Sequence, residues 1–247
     1  MTTTPVGMRC PECAKQRTKV VRMREMAKVP RVTYTLIALN VLAFFTEQGQ
    51  FTVFGSNIHG TVINEGVLFR EAIASPFDQY WRLVSSAFLH ENLVHIGFNM
   101  YLLYLLGLML EPAIGSARFA AIYITSLLAG SFGVVFATDA PSLGASGAIF
   151  GLMGAAVVEL RARGISVQQS GIGGLIVINL ILSFTLANIS VGAHVGGLIA
   201  GFFAGFALRT ADERGVPIFG FIACGLLCAA SVIAAIAVSG ATGSGIA

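Results

Sequence analysis

Along the chain, apolar residues fall in long unbroken runs separated by short polar segments. The two-residue alternation that marks a half-buried strand is missing. Seven stretches carry no charged residue: Val32–Thr46, Leu93–Leu110, Phe119–Ala137, Ala145–Val158, Ile172–Ala187, Val191–Leu208 and Val216–Val238. Most of them approach the roughly 17 to 25 residues that cross about 30 Å of hydrocarbon, and the fourth is short. Because a backbone facing lipid must satisfy its own hydrogen bonds, these runs predict seven transmembrane helices, an all-α polytopic helical bundle.

Composition removes the alternatives. Charged residues make up 11% of the 247, against roughly 25% in ordinary soluble domains, and hydrophobic residues reach 55%. Mean hydropathy is +0.81. A soluble globular enzyme, a disordered chain and a disulfide scaffold are excluded, the last because there are only four cysteines. The 29 glycines show no three-residue period, so a collagen-like fibre is excluded too.

The placement of the charges predicts an orientation. With the N-terminus in the cytoplasm, thirteen of the fifteen Lys and Arg residues lie inside, and only Arg70 and Arg82 lie outside. The segment Met1–Arg31 is polar and basic, with no apolar stretch before a cleavage site, so the first span is expected to be its own insertion signal. The expectation is a multi-pass protein of the cell membrane, N-terminus cytoplasmic and C-terminus outside, with a flexible Gly/Ser/Ala tail from Ser239. Only Glu47–Asn92, on the outer side, is a long loop. Little room remains for a soluble catalytic domain, so any chemistry belongs to the membrane part.

Polar side chains inside spans are costly and mark function more often than they would in a soluble core. In this topology the second, fourth and sixth spans all run inward. The second begins His90-Glu-Asn-Leu-Val-His95-Ile-Gly-Phe-Asn99, the fourth Gly144-Ala-Ser146-Gly147, and the sixth Ala193-His194. Three helices thus deliver Ser146, His194, His90, His95 and Asn99 to one level near the outer face. Taken singly, Ser146 could bond its own helix, His194 could be a packing histidine and Asn99 an interhelical tie. Their shared depth favours a site. His59, in a glycine-flanked loop, is read as structural.

Glycine spacing says whether those helices can meet. Gly147, Gly151 and Gly154 line one side of the fourth span, and Gly197, Gly201 and Gly205 one side of the sixth. Small-xxx-small faces let two backbones approach closely in lipid. A hydroxyl at the top of one such helix and an imidazole at the top of the other make a Ser-His dyad. The nearest outer-side carboxylates, Glu91 and Asp139, lie outside the spans, so no third triad member is expected. His95 and Asn99, four apart, share a helical face and can aim at one point.

Gly144-Ala-Ser146-Gly147, Ala193-His194-Val-Gly-Gly197-Leu-Ile-Ala-Gly201, the His90/His95/Asn99 run and Trp81-Arg82 together resemble the rhomboid family of intramembrane serine proteases. The resemblance covers roughly Val32–Leu208. It implies a six-helix catalytic core over 32–208, with a water-filled cavity above a serine on a short fourth helix. It further implies hydrolysis of a peptide bond in or near the transmembrane segment of another membrane protein. Ser146 would be the nucleophile and His194 the base. His95, Asn99 and the Ser146 backbone N–H would form the oxyanion hole, with Trp81, Arg82 and His90 framing the site. Family members often carry a tyrosine four residues after the nucleophile; here it is Phe150, which can still stack on the imidazole. The implied partners are transmembrane protein substrates and the bilayer, not nucleic acid. Catalysis would need no cofactor.

Residues 209–247 add a seventh helix and the tail, resembling the appended helix of some family members. Its Cys224 and Cys228 are read as inert packing thiols. In the basic arm 1–31, Cys10-Pro-Glu-Cys13 has the spacing of half a zinc site, and two further ligands are missing from the arm. The eight basic residues of the arm also suit an anionic lipid surface. Two other classes stay in play. A transporter usually shows internal repeats and intramembrane charges, neither of which is seen. A catalytically inactive rhomboid-like chaperone or binding protein would keep the fold but lose Ser146 or His194.

Overall fold

The computed structural model describes residues 2–4, 7–9, 29–46, 53, 60–74, 76–185 and 189–243. In the arm, β1 (Thr2–Thr4) and β2 (Gly7–Arg9) form a small antiparallel hairpin. Cys10, Cys13 and His59 lie outside the described residues. Ten α-helices follow among the described residues: α1 (Arg31–Thr46), α2 (Thr61–Gly66), α3 (Arg70–Ile73), α4 (Arg82–Ser85), α5 (Leu93–Ile114), α6 (Ser116–Ala137), α7 (Ser146–Ala162), α8 (Ile172–Thr185), α9 (Val191–Glu213) and α10 (Pro217–Gly243). Each predicted span corresponds to one of the seven longer helices. By length and composition, α5, α6, α9 and α10 can cross a membrane unaided, while α1 and α8 are shorter apolar helices. The chain is an integral membrane protein built as an all-α helical bundle.

Charge-free runs cut several helices short. α7 continues past Val158 because Glu159 forms ion pairs with Arg163 and Arg209, and α9 continues past Leu208 to Glu213, which Arg209 also holds at 2.8 Å. Charged side chains paired at a helix end do not break it. One expectation is corrected: residues 239–243 are helical and not part of a flexible tail. α10 runs on to Gly243, and the buried Ser239 hydroxyl donates to the Ile236 carbonyl at 2.9 Å. A backbone in an apolar surround keeps its helical hydrogen bonds even through small residues.

Two parallel helices, α7 and α9, and the antiparallel α6 form the centre. A Cβ added at Gly197 would fall on the Gly147 carbonyl oxygen, and one at Gly201 on that of Gly151. Across the other seam, a Cβ at Gly196 would come within 2.6 Å of the Ala129 carbonyl oxygen. Backbone therefore lies directly on backbone along three helices. Bulkier apolar residues pack around this seam, with Leu152, Met153 and Ala204 fully enclosed.

α1 is fastened to α5 by a buried carboxylate. Glu111 accepts from the backbone N–H of Val32 (2.9 Å) and Thr33 (2.8 Å), the Thr33 hydroxyl (2.7 Å) and the Ser116 hydroxyl (2.6 Å). It caps a helix N-terminus, where a negative charge meets unpaired N–H groups. The acid is 2% exposed, and four donors compensate its burial.

If the central seam is as tight as this, a single methyl is enough to disturb it. Gly201→Ala should lower the thermal unfolding midpoint in detergent by an amount equivalent to about 1–3 kcal/mol or more. Gly225→Ala, where an added Cβ meets nothing within 4 Å, should leave the midpoint unchanged or raise it slightly. Equal midpoints for the two variants would rule out backbone contact as the organising feature.

Candidate active site

The first turns of α5 and α9 are fixed by the residues just before them. The Asn92 side chain caps α5 by accepting from the His95 N–H at 2.8 Å, and Ser190 caps α9 by accepting from the Ala193 N–H at 3.2 Å. These are ordinary N-caps. Here they also set the heights of His95 and His194. α7 starts at Ser146 itself, entered through Gly144 at φ +118°, a region that favours glycine. Gly144 has a second reason to be glycine: a Cβ there would meet His95 Nε2 at 2.8 Å.

Ser146 and His194 meet. The Ser146 hydroxyl lies 2.7 Å from His194 Nε2. The Phe150 ring stacks on the imidazole, centroids 4.1 Å apart and planes at 16°, so the missing tyrosine hydroxyl leaves the stack in place. Gly147, Gly197 and Gly201 sit in the seam below, which brings the two helices close enough for that contact. A cavity of about 520 Å³ opens above, bounded by His95 and Asn99 from α5, Ser146 and Phe150 from α7, Ser183 from α8 and His194 from α9. Asn99 uses one N–H on its own helix, donating to the His95 carbonyl at 2.9 Å, and its side chain has a second N–H to offer.

His90 belongs to the support. Fully buried, it packs its ring edgewise on His95 with centroids 5.0 Å apart. Burial, and then the neighbouring His95, hold His90 well below the usual histidine range, so it is neutral at pH 7. Trp81 and Arg82 do not reach the cavity. Trp81 is exposed on the loop and donates its indole N–H to the Glu65 carbonyl at 3.0 Å. Arg82 is buried inside the loop, its Nη1 donating to the Asn64 and Val67 carbonyls, both at 2.8 Å, and its Nε to Gln79. The loop is in turn sewn to the segment that enters α7, through Leu68 and Ser142 pairing their backbones and Gly144 donating to the Ser86 carbonyl at 2.9 Å.

One residue escaped the sequence reading. Ser183, in α8, lies 2.5 Å from His194 Nδ1: a hydroxyl, and not a carboxylate, stands behind the histidine. The available signal was a polar pair, Asn179 and Ser183, four apart on one face of an otherwise apolar span. Cys224 and Cys228 are free thiols on α10, and Cys228 contacts the Thr125 hydroxyl at 3.5 Å, well away from the dyad. Among the described residues no group of three His, Cys, Asp or Glu is arranged to hold a metal ion.

Because Arg82 satisfies loop carbonyls that no helix or strand serves, Arg82→Ala should strand them at about 1–3 kcal/mol each. The expected result is a clear drop in unfolding midpoint, with Trp81→Phe far milder because its single bond is exposed. Equal midpoints for the wild type and Arg82→Ala would show that the loop is held by something else.

The chain is similar to known proteins. Residues 78–211, which include every helix of the cavity, match the family described as Rhomboid domain. Rhomboid protease GluP of Bacillus subtilis is 38% identical over 182 residues, which is 72% of this chain and 35% of that protein. RHOMBOID-like protein 5 of Arabidopsis thaliana is 38% identical over 147 residues, 55% of this chain and 46% of the relative. The rhomboid-named YdcA of Bacillus subtilis is 30% identical over 190 residues, 75% of this chain and 92% of its own length. The chain thus spans under half the length of the first two of these relatives.

Proposed function

The chain belongs to the rhomboid family, and on that footing we propose that it is an intramembrane serine endopeptidase hydrolysing a peptide bond in or near the transmembrane segment of another membrane protein. The observation that carries the proposal is the 2.7 Å contact between the Ser146 hydroxyl and His194 Nε2 at the floor of an open cavity. An inactive chaperone of the same fold would have no need of a nucleophile and base in bonding contact. Residues 32–208 form the catalytic core in this reading, and α10 is an addition to it.

In the proposed reaction the Ser146 oxygen attacks the substrate carbonyl while its proton passes to His194 Nε2. Negative charge develops on the carbonyl oxygen in a site of low dielectric, where preorganised donors count most. The second N–H of Asn99, the His95 ring and the backbone N–H of Ser146 are the donors, two of them side chains on one face of α5. His194 then returns its proton to the leaving amine, and water attacks the acyl-enzyme by the same steps in reverse order. No cofactor enters. The substrate's helix reaches the serine from the bilayer, the only phase in which a transmembrane segment is available. The N-terminus lies in the cytoplasm, since the arginines at the far ends of α7 and α9 and the arm's basic cluster then share the inner side.

Ser146→Ala and His194→Ala should each abolish cleavage of a labelled transmembrane substrate by purified protein while the unfolding midpoint stays near wild type. The double variant should be no worse than either, as groups acting in one step are not additive. Substantial cleavage by Ser146→Ala would overturn the assignment.

The oxyanion donors give an independent test. Asn99→Ala should lower kcat by about 10- to 10³-fold with little change in KM, because its bond strengthens only in the transition state. If Asn99 is a structural tie, the loss should appear as about 0.6 kcal/mol of stability with kcat intact. His95→Ala should follow Asn99→Ala, whereas His90→Ala should act mainly on the midpoint.

A further inference from the structure

We infer that Ser183 is a positioning residue for the dyad: its hydroxyl fixes the tautomer of His194 that can act as a base. The inference rests on the protease reading above. Ser183 makes two short contacts, 2.5 Å to His194 Nδ1 and 2.6 Å to the backbone carbonyl of Asn179 one turn earlier on α8. A hydroxyl has one hydrogen, and a carbonyl oxygen can only accept. The hydrogen between Ser183 and Asn179 is therefore Ser183's own. The remaining contact is a bond only if His194 Nδ1 carries a proton and donates it to the Ser183 oxygen. The opposite order would leave the Asn179 carbonyl facing a lone pair at 2.6 Å.

This order propagates to the nucleophile. With the proton on Nδ1, His194 presents a lone pair at Nε2, and the Ser146 hydroxyl at 2.7 Å donates to it. The chain of bonds runs one way: Ser146 O–H to Nε2, Nδ1–H to the Ser183 oxygen, Ser183 O–H to the Asn179 carbonyl. When Ser146 attacks, its proton moves to Nε2 and the imidazolium keeps Nδ1–H on Ser183, an acceptor already aligned for the cation. The proton at Nε2 leaves with the amine product and Nδ1 is never emptied. Both Ser183 and His194 are buried. On the same face of α8, the Asn179 side-chain amide donates to the Leu175 carbonyl of its own helix at 2.8 Å.

The test uses purified full-length protein as wild type, Ser183→Ala, Ser183→Thr and Ser146→Ala. Three quantities are read: kcat and KM on a labelled transmembrane substrate, the rate of covalent labelling by a fluorophosphonate probe, and the thermal midpoint. Ser183→Ala should lose about 10- to 100-fold in both kcat and labelling rate, the range for a bond to a charged group, with KM and midpoint little changed. Ser183→Thr, which keeps the hydroxyl, should recover most of that loss. A Ser183→Ala protein with wild-type kcat and labelling rate overturns the inference while leaving the dyad intact. So does a loss that Thr fails to restore and that tracks a lowered midpoint, since that is damage to packing. Cleavage persisting in Ser146→Ala, or a wild type that neither cleaves nor labels, overturns the protease reading and this inference with it.

Discussion

Carbonyl oxygens of α7 occupy the places where side chains of α9 would begin, and the rest of the structure follows from that contact. In lipid, helix association gains nothing from expelling water, so dispersion and close approach must supply the attraction. Glycine on both faces permits it. The same approach sets the lateral distance between the proposed nucleophile and base: Ser146 and His194 are both in first turns, directly above the Gly147–Gly197 contact. A wider crossing, of the kind leucine or phenylalanine would impose, would carry the hydroxyl out of reach of the imidazole. Stability and reactivity thus draw on the same glycines.

What the seam cannot do is hold the irregular backbone that surrounds the helix tops. The described residues between 60 and 92 form short helices and turns with many carbonyls outside any ladder, beside a site that must remain polar yet ordered. Arg82 meets this need from within, since one planar group with five donors can serve several carbonyls at once. α10 meets it from behind: Val232, Ala235 and Ile236 pack against Leu68, Ile73 and Leu83 of the same loop. The appended helix is therefore joined to the scaffold of the site as well as to the flank of the bundle.

Legibility in the sequence followed the range of the forces. Spans were legible because hydrophobic length is a local property of the chain. The α7–α9 seam was legible because glycines three and four apart define a face before any partner is known. Helix ends were not, since Glu159 and Arg209 read as boundaries until their pairing across two helices is seen. Ser239 reads as tail because the Gly, Ser and Ala residues around it carry little hydrophobic signal. Glu111 gave no warning as the cap of α1, seventy-eight positions from Thr33 in the chain. Ser183 gives only a faint signal, a polar residue in the middle of an apolar span, because its partner His194 comes from another helix.

Why a hydroxyl behind His194 instead of an acid is a matter of competing magnitudes. A carboxylate at Nδ1 would stabilise imidazolium more strongly, but burying an ion costs several kcal/mol even after relaxation, and more at membrane depth. Glu111 shows what compensation requires: four donors around one acid. Beside His194 there is no comparable set among the described residues, for Asn179 offers a carbonyl and Phe150 an aromatic face. A neutral hydroxyl carries a much smaller desolvation penalty, spends its hydrogen on that carbonyl, and keeps its oxygen for Nδ1. Stacking by Phe150 limits rotation of the ring, so orientation, the larger part of what a triad acid contributes, is obtained without buried charge. The arrangement suits a base that must stay neutral until the moment it accepts a proton, at a point where the described residues gather no set of donors like the one around Glu111.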